Sequence, residues 1–226
     1  MLLKRHKRQL GIVSPAQLQS PIVVIGAGGI GSWAVLALAK MGCPNITVID
    51  FDIVEDHNVA TQFYKESQIK MFKVDALEEN VLLFTGVGII PIPVRWEQVF
   101  EDEDFQEHLK ESIVISALDS LAERKKLFKF LTEKKIYTHS YIDSRMGGEL
   151  FRMFTIDWFV PESVQKYTAK LFSKTKVHRE PCTERAISYN TFLSGAMIAH
   201  AVKQILKDKT FVPEIYVDIN NVSMLN

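Results

Sequence analysis

The chain has 226 residues, enough for one well-buried core and short for two domains, and the reading is a single domain over residues 1–226. Apolar residues make up 47% and charged residues 24%, and 27 basic side chains balance 27 acidic ones. That composition suits a globular protein and provides no global field to steer it toward nucleic acid or an anionic membrane. No run reaches the roughly 18 apolar residues of a membrane span. The basic start KRHKR (4–8) stands where a signal peptide would be apolar, so the expected compartment is the cytoplasm. Two cysteines, Cys43 and Cys182, form no C-x-x-C pair. They exclude a four-cysteine zinc site and argue against a disulfide framework.

In chain order, PIVVIG (21–26) reads as a buried strand and GSWAVLALAKMG (31–42) as the helix after it. NITVID (45–50) is a second strand. VDALEENVLLF (74–84) is helical, and GIIPIPV (88–94) is a strand whose prolines suit a sheet edge. A helix near 97–110 leads to the buried strand SIVISAL (112–118), the amphipathic helix SLAERKKLFKFLTEK (120–134) and the strand IYTHSYI (136–142). After Asp143 the rhythm changes. GELFRMFTI (148–156) suits an antiparallel strand, 171–185 is polar and turn-prone, TFLSGAMIAHAVKQILKD (191–208) is a helix, and EIYVDI (214–219) is a closing strand. The expected fold class is α/β and Rossmann-like. It has a mostly parallel sheet, helices on both faces, and antiparallel strands in the C-terminal third.

The first strand runs into GAGGIG, which places Gly26, Gly28 and Gly31 in G-x-G-x-x-G spacing between a strand and a helix. Asp50 ends the next strand about 20 residues on, which completes the context a nucleotide-binding fingerprint requires. Backbone N–H groups would approach phosphates there, and Asp50 would accept hydrogen bonds from ribose hydroxyls. The segment DFDIVEDHNVATQF (50–63) then gathers Asp50, Asp52, Asn58 and Gln62. Lys73 follows, and Asp119 lies just past a strand's C-terminal end. Hydride transfer needs neither a lysine on phosphates nor a carboxylate on Mg²⁺. Attack on a nucleoside triphosphate uses both. Asp119 also suits a helix N-cap, Arg124 reads as a helix-surface charge, and His139 and His200 read as core histidines.

These motifs resemble the E1-like family that includes ThiF, MoeB and the ubiquitin-activating enzymes. The match rests on GAGGIG, DFDIVEDHNVATQ, Lys73, LDSLAER with Asp119 and Arg124, the start KRHKRQLGI (4–12), and the late helix SGAMIAHAVKQIL. The resemblance implies adenylation, with ATP and Mg²⁺, of the C-terminal glycine of a ubiquitin-like or sulfur-carrier protein ending in Gly-Gly, by a homodimer. It places Gly26, Gly28, Gly29, Gly31, Asp50, Asp52, Asn58, Gln62 and Lys73 on the nucleotide. Asp119 would ligate the metal, and Arg8 would reach the partner subunit's ATP. Cys182, in HREPCTERAISY, has His178, Arg179 and Arg185 near in sequence. Such cations favour a thiolate, and the resemblance offers it a thioester or acyl-disulfide role. Asp143 and Arg145, at the predicted end of a strand, read either as an internally paired turn or as a seat for the substrate's terminus.

One departure bears on activity: Thr61 stands where the family has an arginine before glutamine. Lys65, Lys70 or Arg145 would have to replace that cation. Two alternatives therefore stay open beside the adenylating enzyme: a catalytically impaired E1-like partner subunit, and a nicotinamide or flavin oxidoreductase.

Overall fold

The computed structural model describes residues 2–173 and 186–225. The elements run α1 (Leu2–Arg5), β1 (Ile22–Ile25), α2 (Gly31–Met41), β2 (Ile46–Ile49), α3 (Lys73–Thr85) and β3 (Ile90–Ile92). They continue with α4 (Trp96–Phe100), α5 (Glu103–Glu111), β4 (Ile113–Ser116), α6 (Leu121–Glu133), β5 (Ser140–Gly147) and β6 (Leu150–Ile156). The last are α7 (Pro161–Leu171), α8 (Ser188–Lys203), β7 (Glu214–Asp218) and β8 (Ser223–Leu225).

One eight-stranded sheet has the order β3-β2-β1-β4-β5-β6-β7-β8. The first five strands in that order are parallel and the last three join antiparallel. This is the expected fold class. β1 lies at the middle of the parallel part, with Val24 opposite both Val48 and Ile115. Its side chains alternate between two cores. Ile22 and Val24 join Ile46, Val48, Ile113 and Ile115 beneath α2, α3 and α8. Val23 and Ile25 join Val114, Tyr141 and Phe154 beneath α4 to α7. A strand buried on both faces excludes charge, which is why IVVI, ITVI and IVIS are apolar apart from the buried hydroxyls of Thr47 and Ser116.

The structure corrects several boundaries. The single helix expected near 97–110 is two, because Asp102 caps α5 by accepting from Phe105 N at 2.9 Å and so ends α4. The strand expected at 136–142 starts at Ser140 and continues to Gly147, since β6 folds back and pairs Arg145 with Arg152. Asp143 and Arg145 therefore lie inside a strand, not at its end. The helix α7 and the short strand β8 are additions. α7 starts with Pro161 at its first position and buries Tyr167 and Leu171, an apolar spacing present in PESVQKYTAKL.

α8 packs directly on α2, the helix that leaves the glycine loop. A Cβ on Gly195 would stand 2.7 Å from the carbonyl carbon of Trp33 and 2.8 Å from its oxygen. That contact sets how close the two helices sit. Gly195→Val should lower unfolding free energy by about 1–3 kcal/mol through overpacking, read as a reduced denaturant midpoint at unchanged m-value.

Candidate active site

The glycine loop, Asp50, Asp52, Lys73 and Asp119 gather on one edge of the sheet, at the C-terminal ends of β1, β2 and β4. In an open α/β sheet this edge faces the ligand. Gly26 has φ +98°, and a Cβ there would lie 2.7 Å from the carbonyl oxygen of Ala117. Gly31 is tighter still, since its Cβ would meet the Gly26 carbonyl oxygen at 1.8 Å. These two glycines make the turn possible and press it against the start of the β4–α6 connection. Gly28 differs: nothing lies within 4 Å of its Cβ direction, so the loop's mouth is open there. Gly29 faces Thr191 of α8 and Met146 of β5, at 3.2 and 3.4 Å from its Cβ position. The first turn of α2 receives no side-chain cap; Ser32 N already donates to Gly28 O at 3.0 Å, and the positive end of the helix dipole lies at the loop.

Asp50 holds this loop in place. Ala27 N donates to Asp50 Oδ2 at 2.6 Å, and Asp52 N donates to Oδ1 at 2.8 Å. From the other side, the Tyr64 hydroxyl donates to Ala27 O at 2.6 Å. Burial raises the Asp50 carboxyl above its ordinary value of 3.8, against the lowering effects of the Ala27 amide and the nearby Lys73. Burial also lifts Tyr64 well above 10, which keeps its proton in the bond to Ala27. Sequence reasoning missed Tyr64, and no motif marks it.

Lys73 is buried, and Asp52 grips it twice. Lys73 N donates to Asp52 O at 2.8 Å, and Nζ lies 2.9 Å from Asp52 Oδ2. Asn58 is buried and already employed in its own loop, its Oδ1 accepting from Glu55 N at 2.9 Å. Its carbonyl accepts from Gln62 N at 2.8 Å. Gln62 Oε1 is buried with no hydrogen-bond partner among the described residues. A flip of this amide turns the orphan into an N–H donor at the same place. Trp33 Nε1 donates to the Thr61 carbonyl at 3.0 Å. Of the three cations considered as replacements there, Lys65 and Lys70 are exposed, whereas Arg145 is engaged by Asp143.

Asp119 is exposed, and among the described residues its carboxylate has no hydrogen-bond donor. The N-cap expected of it belongs to Ser120, whose hydroxyl accepts from Glu123 N at 3.4 Å. Arg124 is not a surface charge. It is 4% exposed, and it donates to Asp143 Oδ1, to the Leu118 carbonyl and, at 3.3 Å, to the Ser116 carbonyl. Asp143 is fully buried, and its Oδ2 accepts from Arg145 Nε at 2.8 Å and from the Tyr167 hydroxyl at 2.9 Å. The internally paired reading of Asp143 and Arg145 is therefore the one the structure bears out, within a strand instead of a turn.

Arg8 is exposed in a short turn that docks on the other end of α2: Gln9 Nε2 donates to Met41 O at 2.6 Å. α2 has 11 residues, so it puts about 16 Å between that end and the glycine loop. Cys43 is buried, and burial pushes its thiol up to about 12. Cys182, with His178, Arg179 and Arg185, lies outside the described residues. His139 is partly buried, whereas His200 is exposed and is not a core histidine.

A model of the ThiF family matches residues 8–225. The NEDD8-activating enzyme E1 catalytic subunit of Dictyostelium discoideum is 31% identical over 121 residues, covering 53% of this chain and 26% of the relative. The adenylyltransferase and sulfurtransferase UBA4 of Yarrowia lipolytica is 35% identical over 112 residues, 44% of this chain and 28% of the relative. A tRNA threonylcarbamoyladenosine dehydratase of Haemophilus influenzae is 31% identical over 121 residues, 52% of this chain and 45% of the relative. The matches thus span less than half the length of these relatives. Among solved structures, E. coli MccB with AMPCPP and its MccA superimposes with TM-score 0.72 at 16% identity, over 98% of this chain and 70% of that one. PaaA superimposes with TM-score 0.71 at 18% identity, over 99% and 72%. At these identities the superpositions establish the fold.

The glycines separate fold from ligand. Gly28→Ala should leave stability within about 0.5 kcal/mol of wild type, because its side chain enters open space, yet it should obstruct the mouth. Gly31→Ala should cost about 1–3 kcal/mol through displacement of the loop. Thermal melts and ATP titration of the two variants check the contrast.

Proposed function

The chain belongs to the ThiF family, and from that premise we propose that it is an ATP-dependent adenylyltransferase. Its acyl substrate is the C-terminal glycine carboxylate of a small ubiquitin-like or sulfur-carrier protein ending in Gly-Gly. One observation carries the reading: an open glycine loop, the Asp50 carboxylate, the buried Lys73 ammonium and the exposed Asp119 carboxylate share one sheet edge. A dinucleotide hydride carrier calls for the first two only. The last two suit a reaction in which charge grows on phosphate oxygens.

In the proposed chemistry a carboxylate oxygen of the carrier attacks the α-phosphorus of ATP. The bond from that phosphorus to the bridging oxygen breaks, and pyrophosphate leaves with the electron pair. The acyl-adenylate product has AMP as its leaving group. Asp50 accepts the ribose hydroxyls, the loop amides and Gln62 face the phosphates, and Lys73 neutralises their charge. Asn58 supports its own loop and reaches the phosphates only with its remaining donors. Asp119 supplies the hard oxygen donor that suits Mg²⁺, and the metal, when bound, offsets phosphate charge. In this scheme the Cys182 thiolate attacks the acyl-adenylate after adenylation, forming a thioester as AMP leaves with the electron pair. The acyl-disulfide route requires a persulfide donor, which first displaces AMP; the Cys182 thiolate then attacks the acyl-bound sulfur and releases the donor thiolate.

Lys73→Ala and Asp119→Ala should each reduce ATP–pyrophosphate exchange by roughly 10²-fold or more while shifting the melting temperature little. Exchange near the wild-type rate removes that residue from the mechanism, and tighter binding of NADH than of ATP overturns the reading. Thr61 supports a second reading, an E1-like subunit that binds ATP without turning it over. Nucleotide binding with no exchange, whether a Gly-Gly carrier or tRNA is supplied, favours that one.

The distance of Arg8 from its own glycine loop supports delivery to the other site of a homodimer. Arg8→Ala and Lys73→Ala chains should each be weak alone, and mixing them should restore exchange, because one mixed site regains both residues. Subunit exchange without recovered activity counts against the trans arginine.

A further inference from the structure

We infer that Arg124 and Asp143 form a buried positioning device for the Asp119 carboxylate; the inference rests on the adenylyltransferase reading above and deepens it. β4 leaves the sheet after Ser116, whose last partner in β5 is Asp143 itself. The chain then crosses Ala117 and Leu118 to Asp119, which stands exposed, and to Ser120, which caps α6. Asp119 has no hydrogen-bonded hold of its own among the described residues, so its place is decided by the peptide units before it.

Those units are clamped from two sides. On one side is the glycine loop: Ala117 N donates to Ile25 O at 2.8 Å, and a Gly26 Cβ would meet Ala117 O at 2.7 Å and Leu118 N at 3.4 Å. On the other side is the Arg124 guanidinium, with Nη2 on the Leu118 carbonyl and Nη1 on the Ser116 carbonyl. Nη1 also meets Asp143 Oδ1, and Asp143 is held in turn by Arg145 Nε and the Tyr167 hydroxyl at 2.8 and 2.9 Å. The clamp links three elements, β5, α6 and α7, to the Ser116–Ala117 and Leu118–Asp119 peptide units. The planar guanidinium spreads its donors, so Nη1 serves the Asp143 carboxylate and the Ser116 carbonyl while Nη2 reaches the Leu118 carbonyl; an ammonium carries its three donors on one atom and lacks that fork. Neither Arg124 nor Asp143 touches the nucleotide in this scheme, and both act through Asp119.

The test compares ATP affinity with Mg²⁺ and with EDTA, by calorimetric titration of the full chain. Wild type should bind ATP at least about tenfold more tightly with Mg²⁺, and Asp119→Ala should bring that ratio to near one. Arg124→Lys should lower the ratio to within about twofold of the Asp119→Ala value, while its metal-free ATP affinity stays at the wild-type level. A protein that had merely loosened would lose both affinities together. An unchanged ratio in a folded Arg124→Lys protein overturns the inference and leaves the adenylyltransferase reading standing. Wild type that binds no ATP overturns that reading and this one together. Wild type with a ratio of one overturns the metal role of Asp119, and the positioning role with it. If Arg124→Lys and Asp143→Asn both fail to fold, Tyr167→Phe decides, since it removes one hydrogen bond from Asp143 and keeps the ring. A reduced ratio in that variant supports the inference, and a wild-type ratio overturns it.

Discussion

Asp50 follows β2 with both carboxylate oxygens on backbone amides, one from the glycine loop and one from its own turn. The side chain thus satisfies the part-buried Ala27 amide and the exposed Asp52 amide, neither of which the sheet ladder reaches. The arrangement propagates. Fixing Ala27 fixes the entry to α2, and fixing Asp52 fixes the carbonyl and carboxylate that hold Lys73. The glycine loop, Asp52 and Lys73 are thus placed by one charge. Its raised pKa shows that burial was not fully repaid by these bonds. Because the folded-state value lies above the unfolded one, this group favours the fold at low pH, and that contribution is lost as pH rises through the folded pKa.

The second organising charge is Asp143. A fully buried carboxylate is tolerated only with partners, and here it has Arg124, Arg145 and Tyr167. Such a pair adds little net stability over an apolar pair of similar shape, yet removing one partner typically costs about 3–5 kcal/mol. Its effect is therefore rigidity at the junction of β4, β5, α6 and α7. An exposed i,i+4 pair such as Lys129–Glu133 is of another kind, contributing about 0.3–0.5 kcal/mol and restraining nothing beyond its own helix.

Much of this was legible in the sequence. The apolar strands, the glycine spacing and the acid 20-odd residues on are local signals, and they placed β1, α2, β2 and Asp50. Position 124 also carried a signal, because Arg124, Leu127, Phe128 and Leu131 follow the i, i+3, i+4, i+7 pattern of a buried helix face. Residue type outweighed period there, since arginine is rarely buried without a partner. That partner, Asp143, lies 19 positions away in the chain, where no local pattern reports it. The same limit hid Tyr64, whose role depends on a carbonyl 37 residues earlier. Asp102 is a different case: its capping bond spans only three residues, a local signal inside the segment 97–110. The role of Asn58 in its loop is also local, since the bond spans three residues.

The two rims of the sheet are chemically unlike. β3 carries Pro91, which lacks an N–H and blunts that rim against further pairing. β8 is the outer strand on the other side among the described residues, with Met224 56% and Leu225 64% exposed and Val222 beside it at 92%. Backbone addition to the sheet is thus open mainly in one direction. With neighbouring strands about 4.8 Å apart, a strand added beyond β8 would lie four spacings from β5, roughly 19 Å. An extended chain advances about 3.3 Å per residue, so a tail crossing from that strand back to the line of β5 needs about six residues. The width of the antiparallel extension is in this sense a ruler, and it sets a minimum reach for any chain anchored at the far rim.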